Sequence, residues 1–174
     1  LSPQDWKVRW LAAECLSQGN SLPISEFFQL LQEEHPELQW AGIKLLTKVA
    51  LDDPNLTPVF LQKLQIHFTK CHFLLTQPTL MSTEQKVVAL LQQLNNHAIH
   101  WAGIRKPEKL GTHLTKTLYE PLNHLTEEEW SLLLCLTLIK AFGILGQKAE
   151  EAIPLLLKIL QDTQNVIRFE IIAT

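Results

Sequence analysis

What the chain lacks narrows its identity first. It has no excess of basic charge: 15 Lys and Arg stand against 18 Asp and Glu, a formal net charge of -3. A generic grip on nucleic acid calls for a basic face, so nucleic acid is not an expected partner, although a local patch is still compatible. Charged residues make up 19% and apolar residues 46%, which leaves ample material for a core and excludes wholesale disorder. Cysteine is sparse. Cys15, Cys71 and Cys135 lie far apart, each inside an apolar stretch, whereas a disulfide framework has dense, paired spacing. Three buried free thiols in a reducing compartment, hence an intracellular and cytoplasmic setting, are the expectation. The most apolar stretch, Trp130 to Leu145, carries Lys140 and falls short of the roughly 20 apolar residues of a membrane span. It reads as a buried core helix, with no membrane insertion.

Catalytic signatures are missing too. There is no Gly-rich phosphate loop, no G-x-S-x-G elbow and no H-E-x-x-H. The chain therefore reads as non-catalytic and without a cofactor. No segment shows convincing period-2 alternation, so strands are not expected either. Leu1 at one end and Ile171-Ile172-Ala173-Thr174 at the other read as interior sequence, which predicts a piece of a longer protein.

What is present is helical. Ser2-Pro3 offers an N-cap with proline at the first helical position. Val8, Leu11, Ala12, Cys15 and Leu16 then follow the spacing of one buried face until Gly19-Asn20. Further helices are predicted from Ile24 to Glu34, broken by His35-Pro36, and from about Glu37 to Leu51, ended by Asp52-Asp53-Pro54. Thr57-Pro58 opens another that runs to Leu75. Ser82 with Gln85, and Thr126 with Glu129, fit capping boxes. The second box opens a long helix that Gly146 terminates. Lys148 to Leu160 and Val166 to Ala173 complete the set. Pro107, Gly111 and Pro121 interrupt residues 106–125, which read as an irregular insertion or loop.

Three segments share a pattern, the third within a helix expected to start near His97 after Asn95-Asn96. Val8-Arg9-Trp10-Leu11-Ala12, Leu38-Gln39-Trp40-Ala41-Gly42 and Ile99-His100-Trp101-Ala102-Gly103 each run aliphatic, polar, Trp, small or aliphatic, then Ala or Gly. Their starts at 8, 38 and 99 lie 30 and 61 residues apart, about one and two units of a repeat in the 30s, the spacing of helix-pair solenoids. One helix pair cannot bury its apolar stripe alone, so such repeats stack and share a core. Ala12, Gly42 and Gly103 then become positions of close helix approach, where a larger side chain would force the pair apart. The competing role for such a glycine is simply to end a helix.

Val8-Arg9-x-x-Ala12 resembles the second-helix signature of HEAT repeats. Ala152-Ile153-Pro154-Leu155-Leu156 through Leu160, followed by Asp162 and Ile167-Arg168, resembles that family more closely. The resemblance implies an all-α fold, a right-handed α-α superhelix, with residues 1–174 forming a single repeat segment. It also implies that Asp162 and Arg168 pair in a ladder with neighbouring repeats, with Arg9 (near Asp5) as the N-terminal counterpart. Gln39 and His100 depart from the pattern by replacing its arginine, and Ile171 replaces its alanine.

Trp10, Trp40 and Trp101 are the candidate binding residues. Each stands two after the aliphatic position, about 200° around the helix at 100° per residue, and so points away from the core arc. In a solenoid that side is often concave, and spaced aromatics there could hold a peptide or partner helix. The alternative is a seam against the next repeat, in keeping with how deeply Trp is usually buried. His97 and His100, and His67 and Cys71, have spacings that share a helix face, but no third and fourth ligand stands near either pair, so no metal is expected. Glu127-Glu128-Glu129 reads as helix capping. Arg105, Lys106 and Lys109 read as solvated surface. The leading expectation is a scaffold for an unknown protein partner. A nucleic-acid-handling HEAT-like protein and a purely structural spacer or oligomerisation segment are the alternatives, and fold alone does not choose among them.

Overall fold

Prolines and caps set most of the helix boundaries. A computed structural model describes residues 23–76, 85–89, 92 and 124–162, and among these every regular element is helical. The elements are α1 (Ile24–Leu30), α2 (Pro36–Val49), α3 (Leu56–Thr76), α4 (Glu127–Leu145), a 3-10 segment (Gly146–Ala152) and α5 (Ile153–Asp162). A further helical stretch covers 85–89.

Helix α1 stops four residues short of the expected Glu34. Its exit tightens into i to i-3 bonds, from Leu31 N to Phe28 O at 3.2 Å and from Gln32 N to Gln29 O at 2.9 Å. His35 is then extended, at φ -79° and ψ 118°, and Pro36 takes the first position of α2. Proline disfavours helical backbone in the residue before it, so one helix must close before the next begins. Between α2 and α3 the Asp53 carboxylate accepts from Asn55 N at 2.8 Å and Asn55 Nδ2 at 3.0 Å, a side-chain turn that starts α3.

Along α3 one stripe is buried: Leu56, Phe60, Leu64, Phe68 and Cys71, the spacing of a helix with a single core face. Helix α4 differs. Every residue from Glu129 to Ile139 is buried, as are Ala141, Phe142 and Leu145. Its packing explains this, because α4 lies most extensively against α3 and next against α2. The rings of Phe60 and Phe142 meet edge to face, with centroids 6.3 Å apart. By length and composition the stretch Glu127–Gln161 holds an 18-residue window apolar enough to cross a membrane, and 78% of that window is buried inside the fold.

The entrance of α4 is the expected capping box. Glu129 N donates to Thr126 Oγ1 at 3.2 Å, and Thr126 N donates to Glu129 Oε2 at 2.9 Å. Gly146, at φ 56°, ends the helix in a conformation that costs a residue with a Cβ more than it costs glycine. The helix expected from Lys148 does not form at once. Residues to Ala152 make up the 3-10 segment, with a non-helical Ala149 at φ -107° and ψ 23°. Regular helix resumes at Ile153, which puts Pro154 in the first turn, where its missing N–H costs nothing. The 3-10 segment is tied back across the fold. Thr57 Oγ1 donates to Lys148 O at 3.2 Å, and Lys148 pairs with Asp52.

Candidate functional site

Helix α2 carries two of the residues that the repeat pattern singles out, and both lie in the interior. A Cβ added at Gly42 would stand 3.0 Å from Leu30 Cβ, 3.1 Å from Leu31 Cδ2 and 3.2 Å from Phe27 O. Glycine there lets α1 and α2 approach more closely than an alanine would permit. Trp40 lies about 200° around the helix from Gly42, away from the α1 face, and is 1% exposed. Its placement on an open concave surface is therefore corrected: the indole is core. The physical reason is that α2 is covered on two sides, by α1 and by α4. Leu38, Ala41, Ile43, Leu45 and Leu46 are buried with it, so a single apolar arc does not describe this helix.

A polar relay crosses the same region. The His67 ring on α3 is 4% exposed, and its Nε2 lies 2.9 Å from Gln39 Oε1 on α2. Because that oxygen accepts, Nε2 carries the proton and donates. Gln39 Nε2 donates in turn to Glu33 O, just beyond α1, at 2.8 Å. The other ring nitrogen, Nδ1, is buried without a hydrogen-bond partner. Burial, then the nearby charges of Lys63 and Lys70, push the His67 pKa down to about 4, so the ring is neutral at neutral pH. This tie among three successive helical segments is absent from the sequence-based candidates. Its one signal is a polar Gln39 between the buried Leu38 and Trp40.

Two ion pairs tie the start of α4 to earlier parts of the chain. Lys70 Nζ meets Glu127 Oε1 at 3.0 Å, and Lys86 Nζ meets Glu129 Oε1 at 3.0 Å. The Glu127-Glu128-Glu129 cluster thus combines helix capping with two ion pairs to earlier parts of the chain. Among the described residues, no group of three or more His, Cys, Asp or Glu is placed to hold a metal ion. Large apolar side chains are exposed at Ile66 and Phe73 on α3, at Ile144 on α4, and at Ile153 and Leu157 on α5.

The other candidates fall elsewhere. Trp10, Trp101, Arg9, Ala12, Gly103 and Arg168, with residues 106–123, lie outside the described residues. Asp162 is the last residue of α5. No protein-family model, curated protein or solved structure matches this chain.

Proposed function

We propose that the chain is a segment of a non-catalytic helical-repeat scaffold, a right-handed α-α superhelix of HEAT type that binds a protein partner. The observation that carries this reading is the order of packing. Helices α1, α3 and α5 alternate with α2 and α4: α1 packs on α2, α3 on α4, α2 on α4, and α3 on α5. Two layers built from alternate helices are what stacked helix pairs produce. In this reading α3 and α4 are one pair. Gln39 stands where the HEAT resemblance places arginine, and its bond to His67 is a neutral substitute for the ladder contact.

With Trp40 in the core, the partner surface moves to the other layer. Ile66 and Phe73 on α3 are seven residues apart, and Ile153 and Leu157 on α5 are four apart. Each pair therefore shares a helix face. Exposed apolar side chains clustered on neighbouring elements mark protein contact sites more often than singly scattered ones. The burial of Trp40 also favours a second reading, a spacer or oligomerisation segment, because an indole fixed inside the stack recognises nothing outside it.

Pull-down and sedimentation of the chain against an Ile153→Ser/Leu157→Ser variant test both. A specific protein lost by a variant with unchanged circular dichroism supports the scaffold. Loss of self-association instead supports the oligomerisation role. A variant that keeps every partner and the same sedimentation removes this face from consideration.

A further inference from the structure

Cys71 and Cys135 are 64 residues apart in sequence and meet in the core. Their sulfurs lie 3.8 Å from each other across the packed faces of α3 and α4. Both thiols are free, and the two residues are 0% and 1% exposed. At 3.8 Å the sulfurs are in van der Waals contact, whereas a disulfide requires about 2.05 Å. Closing that gap requires rotation about the two Cα–Cβ bonds and a shift of the helices.

We infer that Cys71 and Cys135 are a specific disulfide-forming pair, an oxidation site that locks α3 to α4 and closes the chain between them into a loop. With a small-molecule disulfide such as glutathione disulfide as oxidant, one cysteine thiolate attacks a sulfur of the oxidant, forming a mixed disulfide and expelling one small thiolate. The second cysteine thiolate attacks the protein sulfur of that mixed disulfide and expels the other. The protein gives up two protons and two electrons, and the oxidant becomes two thiols. Burial and the neighbouring Cys71 push the Cys135 thiol up, which keeps it protonated and unreactive while the seam is closed. Oxidation therefore proceeds through opening of the α3/α4 seam and is slow in the folded chain. The lock is independent of the scaffold reading, since any function carried by this fold would be subject to it.

The test equilibrates the chain in glutathione buffers of graded oxidising strength, with alkylation, intact mass, peptide mapping and circular dichroism on each sample. The Cys15→Ser variant is run in parallel to remove the third thiol. The expected result is a loss of two hydrogens and joint loss of alkylatable Cys71 and Cys135. A peptide joining those two residues appears, and the helical spectrum is unchanged. The oxidised chain melts higher by about 5 °C or more, as a long closed loop predicts, and dithiothreitol reverses both effects. Full alkylation of both residues in the most oxidising buffer overturns the inference. So does a bond to Cys15 in the folded wild type, or an oxidised chain that melts lower.

Discussion

Helices α4 and α5 are both rich in leucine and isoleucine and are separated by a single 3-10 segment, yet they end in opposite environments. Fourteen of the 19 residues of α4 are buried, while Ile153 and Leu157 of α5 are 50% and 52% exposed. Composition does not account for the difference; the number of packed neighbours does. Helix α4 lies against α2 and α3 together, and from Glu129 to Ile139 it is buried all round, with Ile144 near its end exposed. Among the described residues, α5 packs on α3 and the 3-10 segment, and one face of it stays open. Apolar content states how much surface a helix could bury, and topology decides how much it does.

That contrast is broken or sharpened most strongly by matched leucine truncations. Leu133 is 0% exposed, so Leu133→Ala should cost about 2–5 kcal/mol from lost burial and the cavity left behind. Leu157→Ala, at 52% exposure, should change stability by no more than about 0.5 kcal/mol. Urea denaturation of the two variants decides it, and comparable losses would mean that α5 is covered as fully as α4.

The same contrast explains what can be read from the chain in advance. Local signals are legible: His35-Pro36 as a boundary, Thr126 with Glu129 as a capping box, and Gly146 as the stop of α4. Each acts within a few residues, through proline sterics, side-chain capping or a positive φ. Features that depend on which helices become neighbours are not legible in this way. Trp40 reads as facing outward when one apolar arc accounts for the helix, but a helix packed on two sides buries two arcs. Cys71 and Cys135 read as isolated because their spacing is long, and only the return of α4 onto α3 brings them together. The helix expected from Lys148 fails locally, because Pro154 admits regular helix only from Ile153 onward. Of the candidate site, the close approach at Gly42 is accessible from the repeat pattern, whereas the Gln39 to His67 bond requires both helices in place.

A second way to probe the α2, α3 and α4 core is through pH. The His67 pKa lies near 4 when folded and near 6.5 when unfolded, so the unfolded chain binds the extra proton between those values. The stability tied to this ring is fully present above about pH 6.5 and is lost as the pH falls toward about 4, by up to about 3 kcal/mol. Urea titrations of wild type and His67→Gln from pH 7.5 to 4 isolate the effect, since the remaining carboxylates and histidines titrate in both. The wild type should fall more steeply in that window, and parallel profiles would show that the ring is solvated in the folded state.

The contact of α1 with α2 offers a further comparison with the α4 interior. Alanine has about 1 kcal/mol more helix propensity than glycine, and at an exposed position Gly→Ala would stabilise α2. At Gly42 the new methyl meets Leu30 Cβ at 3.0 Å and a backbone oxygen at 3.2 Å, neither of which can swing aside as a side-chain tip would. Overpacking of this kind costs about 1–3 kcal/mol, so Gly42→Ala should be destabilising by about 1 kcal/mol net. A higher melting temperature would reveal that α1 yields easily, and that the α1 edge is looser than the α4 interior.

The smallest effect tests whether α4 depends on its cap at all. Helices α1 and α2 begin without a side-chain cap, whereas α4 has both bonds of a capping box. If all-round burial alone positioned α4, the cap would be redundant. Glu129, however, is 8% exposed and takes part in the box while pairing with Lys86, so one buried carboxylate with two polar ties stands in an otherwise exposed first turn. Removing the Thr126 hydroxyl leaves Glu129 N without its acceptor at a covered position. Thr126→Ala should therefore cost about 1 kcal/mol, and Thr126→Ser, which keeps the oxygen, only a few tenths. Equal stability of the alanine and serine variants would show that packing against α2 and α3 fixes the helix start. A loss confined to alanine assigns that role to the hydroxyl, and makes the entrance of α4 a place where a polar bond and apolar burial act on the same turn.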